Sequence, residues 1–112
     1  MGFWEDAVNT VERKSEEVLK ISKLKFQISK IKNELNTCYG SLGRHIYQAR
    51  KSGVCDEQYE QELIIKISAL HAELNAVTGE LNRTKGVRPC VQCGQVNEAS
   101  NEFCSRCGAR LS

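Results

Sequence analysis

The 112-residue sequence is short of proline and of aromatic side chains: it has one Pro, three Phe, three Tyr and one Trp. With 112 residues, 40% of them hydrophobic but few of them aromatic, the chain can form one ordinary domain or two small ones. The formal net charge is only +2, whereas a nucleic-acid surface usually carries a larger basic excess. No apolar run approaches the length of a membrane span. We therefore expect a soluble protein without a transmembrane segment, and peripheral membrane contact is disfavoured.

The beginning of the sequence also lacks the basic and apolar segments of a secretory signal. Six cysteines would suit a secreted disulfide scaffold, but without such a signal we expect reducing, cytoplasmic surroundings. In those surroundings a cysteine pattern more often indicates metal binding than disulfides.

Two Cys-x-x-Cys-Gly segments stand near the end of the sequence. Their cysteines are Cys90, Cys93, Cys104 and Cys107. The glycine that follows each pair can adopt a positive φ, so the chain turns back and directs backbone N–H groups at the sulfurs. Four thiolates in this arrangement are typical of a closed tetrahedral site. The sequence therefore predicts one structural Zn²⁺ per chain.

The predicted site is not that of an enzyme, because four protein ligands leave no coordination position for water. Iron bound as in rubredoxin is a less favoured alternative, and so is a redox role, since no βαβ pattern surrounds the motif. The segment from Gly86 to Ser112 is too short to fold around an apolar core alone, so metal binding is expected to supply its folding energy.

Apolar residues recur at helical spacing through most of the remaining sequence. Steps of three and four separate Ile21, Leu24, Ile28, Ile31, Leu35, Cys38 and Leu42, and later Tyr59, Leu63, Ile67, Leu70, Leu74, Val77 and Leu81. This alternation predicts a heptad seam on each of two helices. We expect a mainly α fold, an antiparallel coiled-coil helical hairpin at 1–85 with helix 3–51, turn 52–56 and helix 57–83, followed by a zinc ribbon at 86–112.

The first predicted helix is much longer than the second, roughly 70 Å against roughly 40 Å at about 1.5 Å per residue. Pairing the helices from the turn outwards brings Glu80 within reach of Lys25 or Lys30. The segment from Phe3 to Lys23 then has no partner within the hairpin. It carries an apolar surface, here called the N-terminal stripe, which consists of Phe3, Trp4, Ala7, Val8 and Val11. This stripe suits a protein partner better than a membrane interface.

Three further apolar residues, Phe26, Tyr47 and Ile65, fall on the outer side of the predicted heptads. Single exposed apolar residues are common, so simple solvent exposure is one interpretation. The other is a homodimer in which two hairpins form a four-helix assembly. Gly40 and Gly43 lie on the same outer side, where they permit close helix approach or mark a kink.

Several other residues with potential chemistry receive ordinary interpretations. Phe103 is expected to be a small core residue beneath the zinc rather than a stacking platform for bases. Cys38 is expected to be buried in the seam, and Cys55 to be exposed in the turn with nothing nearby to activate it. His45 and His71 are interpreted as polar or half-buried histidines, because neither has a Glu or Cys partner at ligand spacing.

The cysteine segments resemble short bacterial zinc-ribbon domains, in which Cys-x-x-Cys-Gly is followed by a loop with Asn or Glu, then by Phe-Cys-x-x-Cys-Gly and Leu. The matching residues here are Cys90, Cys93, Gly94, Asn97, Glu98, Phe103, Cys104, Cys107, Gly108 and Leu111. The layout of a charged helical hairpin before one ribbon is similar to that of small uncharacterised bacterial zinc-ribbon proteins. The resemblance implies fold and metal but no activity, because ribbons are attached to many unrelated proteins.

The favoured functional interpretation is a non-enzymatic adaptor or scaffold that contacts a protein partner. The alternative is a nucleic-acid-binding protein. It would use five lysines within residues 20–32, a segment that contains no acidic residue, together with three arginines of the ribbon: Lys20, Lys23, Lys25, Lys30, Lys32, Arg88, Arg106 and Arg110. The same lysines are otherwise expected to be solvated or paired within the chain.

Overall fold

A computed structural model describes residues 2–111, which form two long helices and a small pair of strands. Helix α1 is Phe3–Ser52 and helix α2 is Glu57–Lys85; strand β1 is Val87–Pro89 and strand β2 is Val96–Glu98. The helices thus end one and two residues later than the sequence predicts. Met1 and Ser112, the outer ends of the two predicted domains, lie outside the described residues.

The connection between the helices has local chemical causes. The N–H of Gly53 donates to the carbonyl of Ala49 at 2.9 Å, which closes the last turn of α1. Asp56 is the N-cap of α2, since its Oδ1 accepts a hydrogen bond of 3.1 Å from the N–H of Tyr59. Acidic residues in the first turn of each helix and basic residues in the last complement the helix dipole. The resulting loop is four residues long.

The chain divides into two compact units. One unit is Phe26–Thr78, and the other contains the chain before and after it. The division falls within both helices, so the domain boundary at residues 85 and 86 stays a prediction.

The core of the unit Phe26–Thr78 lies between the two helices. Its buried members are Ile31, Leu35, Cys38, Ile67 and Leu70, with Leu42, Leu63, Leu74 and Val77 packed against them. Every member belongs to the predicted seams, and Cys38 is buried as expected. Tyr39 of α1 is hydrogen-bonded to His71 of α2 at 2.7 Å, and the ring of His45 lies 5.2 Å from that of Tyr59. Later residues of α1 therefore contact earlier residues of α2, which is the order of a hairpin.

In the other unit, one predicted contact between the two helices is wrong. Glu80 lies 3.6 Å from Nζ of Lys20, not beside Lys25 or Lys30. Exposed ion pairs contribute little free energy and do not fix the register, and a long lysine side chain can reach along the helix. Because Lys20 has this contact, the part of α1 without a partner is shorter than predicted. Residues 3–20 are all exposed, and the first buried residue of α1 is Leu24.

Candidate metal centre

The ribbon consists of two turns related by a fourteen-residue offset in the sequence. In the first turn Pro89 pairs with Val96 as part of the antiparallel β1–β2 pair. In the second turn Phe103 pairs with Arg110 through an isolated bridge. These two residues lie fourteen positions after Pro89 and Val96, respectively. Each turn therefore sits between two short extended segments, and this repeat places the two cysteine pairs in equivalent positions.

Glycine allows each turn to close. Gly94 has φ of 78° and Gly108 has φ of 75°, values that a residue with a Cβ adopts only with strain. The N–H of Gly94 donates to the carbonyl of Cys90 at 2.9 Å, and that of Gly108 donates to the carbonyl of Cys104 at 3.0 Å. The positive φ predicted from the sequence is present in both turns.

The two turns bring four sulfurs together. Sγ of Cys90 lies 3.6 Å from Sγ of Cys107, and Sγ of Cys93 lies 3.5 Å from Sγ of Cys104. All four sulfurs lie within 4.8 Å of one another. Thiolates bound tetrahedrally to zinc at about 2.3 Å are about 3.8 Å apart. The geometry of the side chains therefore fits a tetrathiolate zinc centre.

Backbone N–H groups point at the first sulfur of each pair. Sγ of Cys90 accepts a hydrogen bond from the N–H of Gln92 at 3.4 Å, and Sγ of Cys104 accepts bonds from those of Arg106 and Cys107 at 3.4 and 3.5 Å. These donors favour the thiolate form. The N–H groups of Cys93 and Gln92 accordingly lower the pKa of Cys90.

The pKa values of the two cysteines in the second turn shift in opposite directions. The N–H of Cys107, helped by that of Arg106 and by Asn97, lowers the pKa of Cys104 to about 6 against the opposing effect of desolvation. The N–H of Ala109 also lowers the pKa of Cys107, but desolvation and the three neighbouring sulfurs outweigh it and raise that pKa to about 12. Cys107 therefore favours the thiol form in the absence of a metal, and Zn²⁺, when bound, would stabilise it as a thiolate.

Asn97 connects the two turns, a role that the sequence pattern did not reveal. Its side chain is 4% exposed. Its Nδ2 donates to the carbonyl of Gln95 at 3.0 Å, while its Oδ1 accepts hydrogen bonds from the N–H and the hydroxyl of Ser105 at 2.9 and 3.0 Å. Ser105 follows a ligand cysteine, so Asn97 holds the second turn against β2. The resemblance to zinc ribbons marks Asn97 as a matching residue, but the sequence does not show which groups its side chain contacts.

Phe103 is not the core residue that the sequence predicted, because its side chain is 57% exposed. The buried positions of the ribbon are occupied by Cys90, Cys104 and Leu111, with Cys93 and Ala109 against them. Phe103 instead forms the isolated bridge with Arg110 at the edge of the second turn. Arg88, a predicted nucleic-acid contact, instead donates to the carbonyl of Leu111 at 2.9 Å.

The other residues singled out in the sequence belong to the two helices and the loop between them. His71 is bonded to Tyr39, as expected of a polar histidine. Cys55 is exposed, and desolvation together with a hydrogen bond to Glu60 raises its pKa, so its thiol is not activated. His45 is half-buried, as the sequence predicts, and one ligand atom each of Cys55 and Glu60 lies within 4.8 Å of a nitrogen of its ring. Cys55 lies in the loop and Glu60 in the first turn of α2, so their approach to His45 depends on the path of the loop. No regular spacing in the sequence indicates it.

Comparison with known proteins identifies the ribbon. Residues 90–111 match the zinc-ribbon domain family. No curated protein and no solved structure matches the chain. Within residues 2–111, neither helix has a segment long and apolar enough to cross a bilayer. The chain therefore carries a C-terminal zinc ribbon with a structural zinc site formed by its four clustered cysteines.

Proposed function

We propose that the protein is a non-enzymatic adaptor whose N-terminal stripe binds a protein partner, while the zinc ribbon provides a rigid module beside it. The stripe supports this proposal most directly, because Phe3 and Trp4 are 83% and 80% exposed and Val8 and Val11 are also exposed. Large apolar side chains grouped on one helix are favourable contacts for a second protein.

The position of the stripe on α1 strengthens the argument. At about 100° per residue, the five residues of the stripe span about 140° of the helix circumference. Lys20, whose Nζ meets Glu80 of α2, lies about 170° from the centre of that sector. The stripe therefore faces away from the side of α1 that contacts α2. A partner that binds the stripe need not displace any contact within the chain.

The proposal includes an antiparallel coiled coil and a homodimer. The coiled coil is supported by the buried residues spaced by three and four in both helices. The dimer is supported by Phe26, Tyr47 and Ile65, all of them exposed in the single chain. We also assign the protein to the reducing cytoplasm, where its six unpaired cysteines are stable. Light scattering at high micromolar concentration tests the dimer, and a monomer mass would contradict it.

Nucleic-acid binding is the weaker alternative. Lys20 is paired with Glu80, and Arg88 is engaged with a backbone carbonyl inside the ribbon. Two of the predicted basic contacts are thus already satisfied within the chain. Binding to phosphates would also weaken steeply with added salt.

The decisive experiment is affinity purification of the full chain from its source cells at low salt, with and without nuclease. The wild type is compared with a Trp4→Glu, Val8→Glu double variant and with Val54→Glu, an exposed apolar residue in the loop. We expect a stoichiometric protein that is retained by wild type and Val54→Glu and lost from the double variant. Retention by all three, or co-purified nucleic acid that nuclease and salt remove, would overturn the proposal.

A further inference from the structure

The end of the unit Phe26–Thr78 at which the two helices are connected contains a second group of potential metal ligands. His45 comes from α1, Cys55 from the loop and Glu60 from the first turn of α2. Nε2 of His45 lies 3.8 Å from Oε2 of Glu60, and Sγ of Cys55 lies 3.5 Å from the same oxygen. One ligand atom from each residue lies within 4.8 Å of the other two.

These separations are close to those of a metal-bound set. Nitrogen, oxygen and sulfur bound tetrahedrally to zinc at their usual distances are about 3.3–3.7 Å apart. Two of the observed distances are within a few tenths of an ångström of that range. The Cys55 thiol is exposed and belongs to the four-residue loop, not to a helix.

The state of His45 provides an independent observation. Its side chain is 14% exposed, and its Nε2 is buried without a hydrogen-bond partner among the described residues. Buried polar atoms are normally satisfied, so an unpaired ring nitrogen beside a carboxylate and a thiol requires an explanation. The ring itself is fixed by packing against Tyr59 at 5.2 Å between centroids. A cation between the three groups would satisfy the nitrogen.

We propose that Nε2 of His45, Sγ of Cys55 and a carboxylate oxygen of Glu60 bind a second Zn²⁺, separate from the ribbon zinc, with one coordination position open. Imidazole and thiolate together favour zinc over the hard cations Mg²⁺ and Ca²⁺, and three protein ligands are the number found in open zinc sites. On binding, Cys55 releases its proton to solvent and its thiolate bonds to the metal.

The surroundings leave access to the open position. Cys55 and Glu60 line a surface cavity of about 570 Å³ whose wall also includes Ile46, Glu57 and Ile64. A water or a donor atom from outside can therefore reach the metal from this side. The ribbon site, with four protein ligands, has no such position. The second site thus extends the proposed function with a metal centre that can exchange a ligand.

The test uses the full chain with one equivalent of Zn²⁺ in the ribbon, to which Co²⁺ is added as a spectroscopic probe. We expect one further equivalent to bind, with a sulfur-to-cobalt absorption band about one quarter as intense as that of a four-thiolate site. His45→Ala, Cys55→Ser and Glu60→Gln should each abolish this band. Cys38→Ala and Glu62→Gln, a thiol and a carboxylate outside the cluster, should retain it.

A second measurement does not depend on the probe metal. At free Zn²⁺ about ten times the dissociation constant, alkylation of Cys55 should slow by about tenfold, and His45→Ala should remove that protection. Circular dichroism of each variant establishes that the helices persist. Binding of only one metal per chain, or a cobalt band that survives in Cys55→Ser, would overturn the proposal and leave His45 and Glu60 as a simple ion pair.

Discussion

The unit Phe26–Thr78 and the ribbon each have a small core, and the two cores consist of different kinds of side chain. The helical unit buries side chains such as Ile31, Leu35 and Leu70 between its helices. The ribbon buries Cys90, Cys104 and Leu111, and two of these three residues are metal ligands. The first core is stabilised by removing apolar surface from water. The second is stabilised by bonds to an ion.

We therefore expect the two regions to be sensitive to different perturbations, one to the loss of apolar side chains and the other to the loss of metal. An apolar core tolerates chelators and is sensitive to the loss of methylene groups. A core of thiolates tolerates small changes at its surface but does not form without its cation. If the distinction holds, a change in one core leaves the other intact.

Removing one ribbon ligand should unfold the ribbon and leave the helices intact. We expect Cys104→Ser, or treatment with a strong chelator, to abolish the dispersed amide resonances of the ribbon, because its folding energy comes from metal binding. The helical circular dichroism signal should be almost unchanged. Cys38→Ala is the control, since this cysteine lies in the core between the helices and belongs to neither group of metal ligands. Loss of most helicity on chelation would show that ribbon and helices form one cooperative unit.

Truncating the apolar core should have the converse effect. Leu35 is buried in the cluster between the helices, so Leu35→Ala should lower the free energy of unfolding by about 2–5 kcal/mol. Urea denaturation followed by circular dichroism measures this change, while the ribbon resonances report whether the zinc site persists. Val54→Ala is the matched control, because Val54 is exposed in the loop and its truncation should cost less than about 0.5 kcal/mol. Equal losses would show that Leu35 contributes no more to stability than an exposed side chain.

The buried amide of Asn97 permits a finer test of the ribbon. Asn97→Ala removes hydrogen bonds to Gln95 and Ser105 and should destabilise the zinc-bound ribbon by about 1–3 kcal/mol. In competition with a chelator, the destabilised variant should lose its zinc faster and more completely than the wild type. Ser105→Ala removes only the hydroxyl bond and should have a smaller effect. If both variants retain zinc as the wild type does, the metal alone determines the ribbon structure.

The sequence predicts the helical unit well because its structure is periodic. Leu35 on α1 and Ile67 on α2 each belong to a series of apolar residues separated by three and four positions. This spacing alone identifies the buried face of each helix. The pairing of Glu80 was predicted incorrectly, since exposed charges constrain register weakly. Periodicity therefore predicts which face is buried more reliably than which residues meet across it.

The ribbon was predictable in its cysteines and less so around them. The spacing of Cys90 and Cys93 identifies the metal because each tight turn presents two sulfurs. The exposure of Phe103 and the bridging role of Asn97 depend on how the second turn lies on the first, and nothing periodic encodes that. The group of His45, Cys55 and Glu60 was missed for the same reason, because a loop of four residues brings the three together.

The smallest predicted effect concerns Gly43 and is a gain in stability. A Cβ at Gly43 would meet no atom of residues 2–111 within 4 Å, so among these residues Gly43 permits no close helix approach. Gly43→Ala should stabilise the helical unit by about 0.5–1 kcal/mol, since alanine favours an α-helix, as measured by urea denaturation. Gly40→Ala is less favourable, because its Cβ would lie 3.3 Å from the Arg44 guanidinium. Destabilisation by Gly43→Ala that grows with protein concentration would instead show that a second chain packs against this face, which the proposed homodimer permits and the isolated helical unit does not.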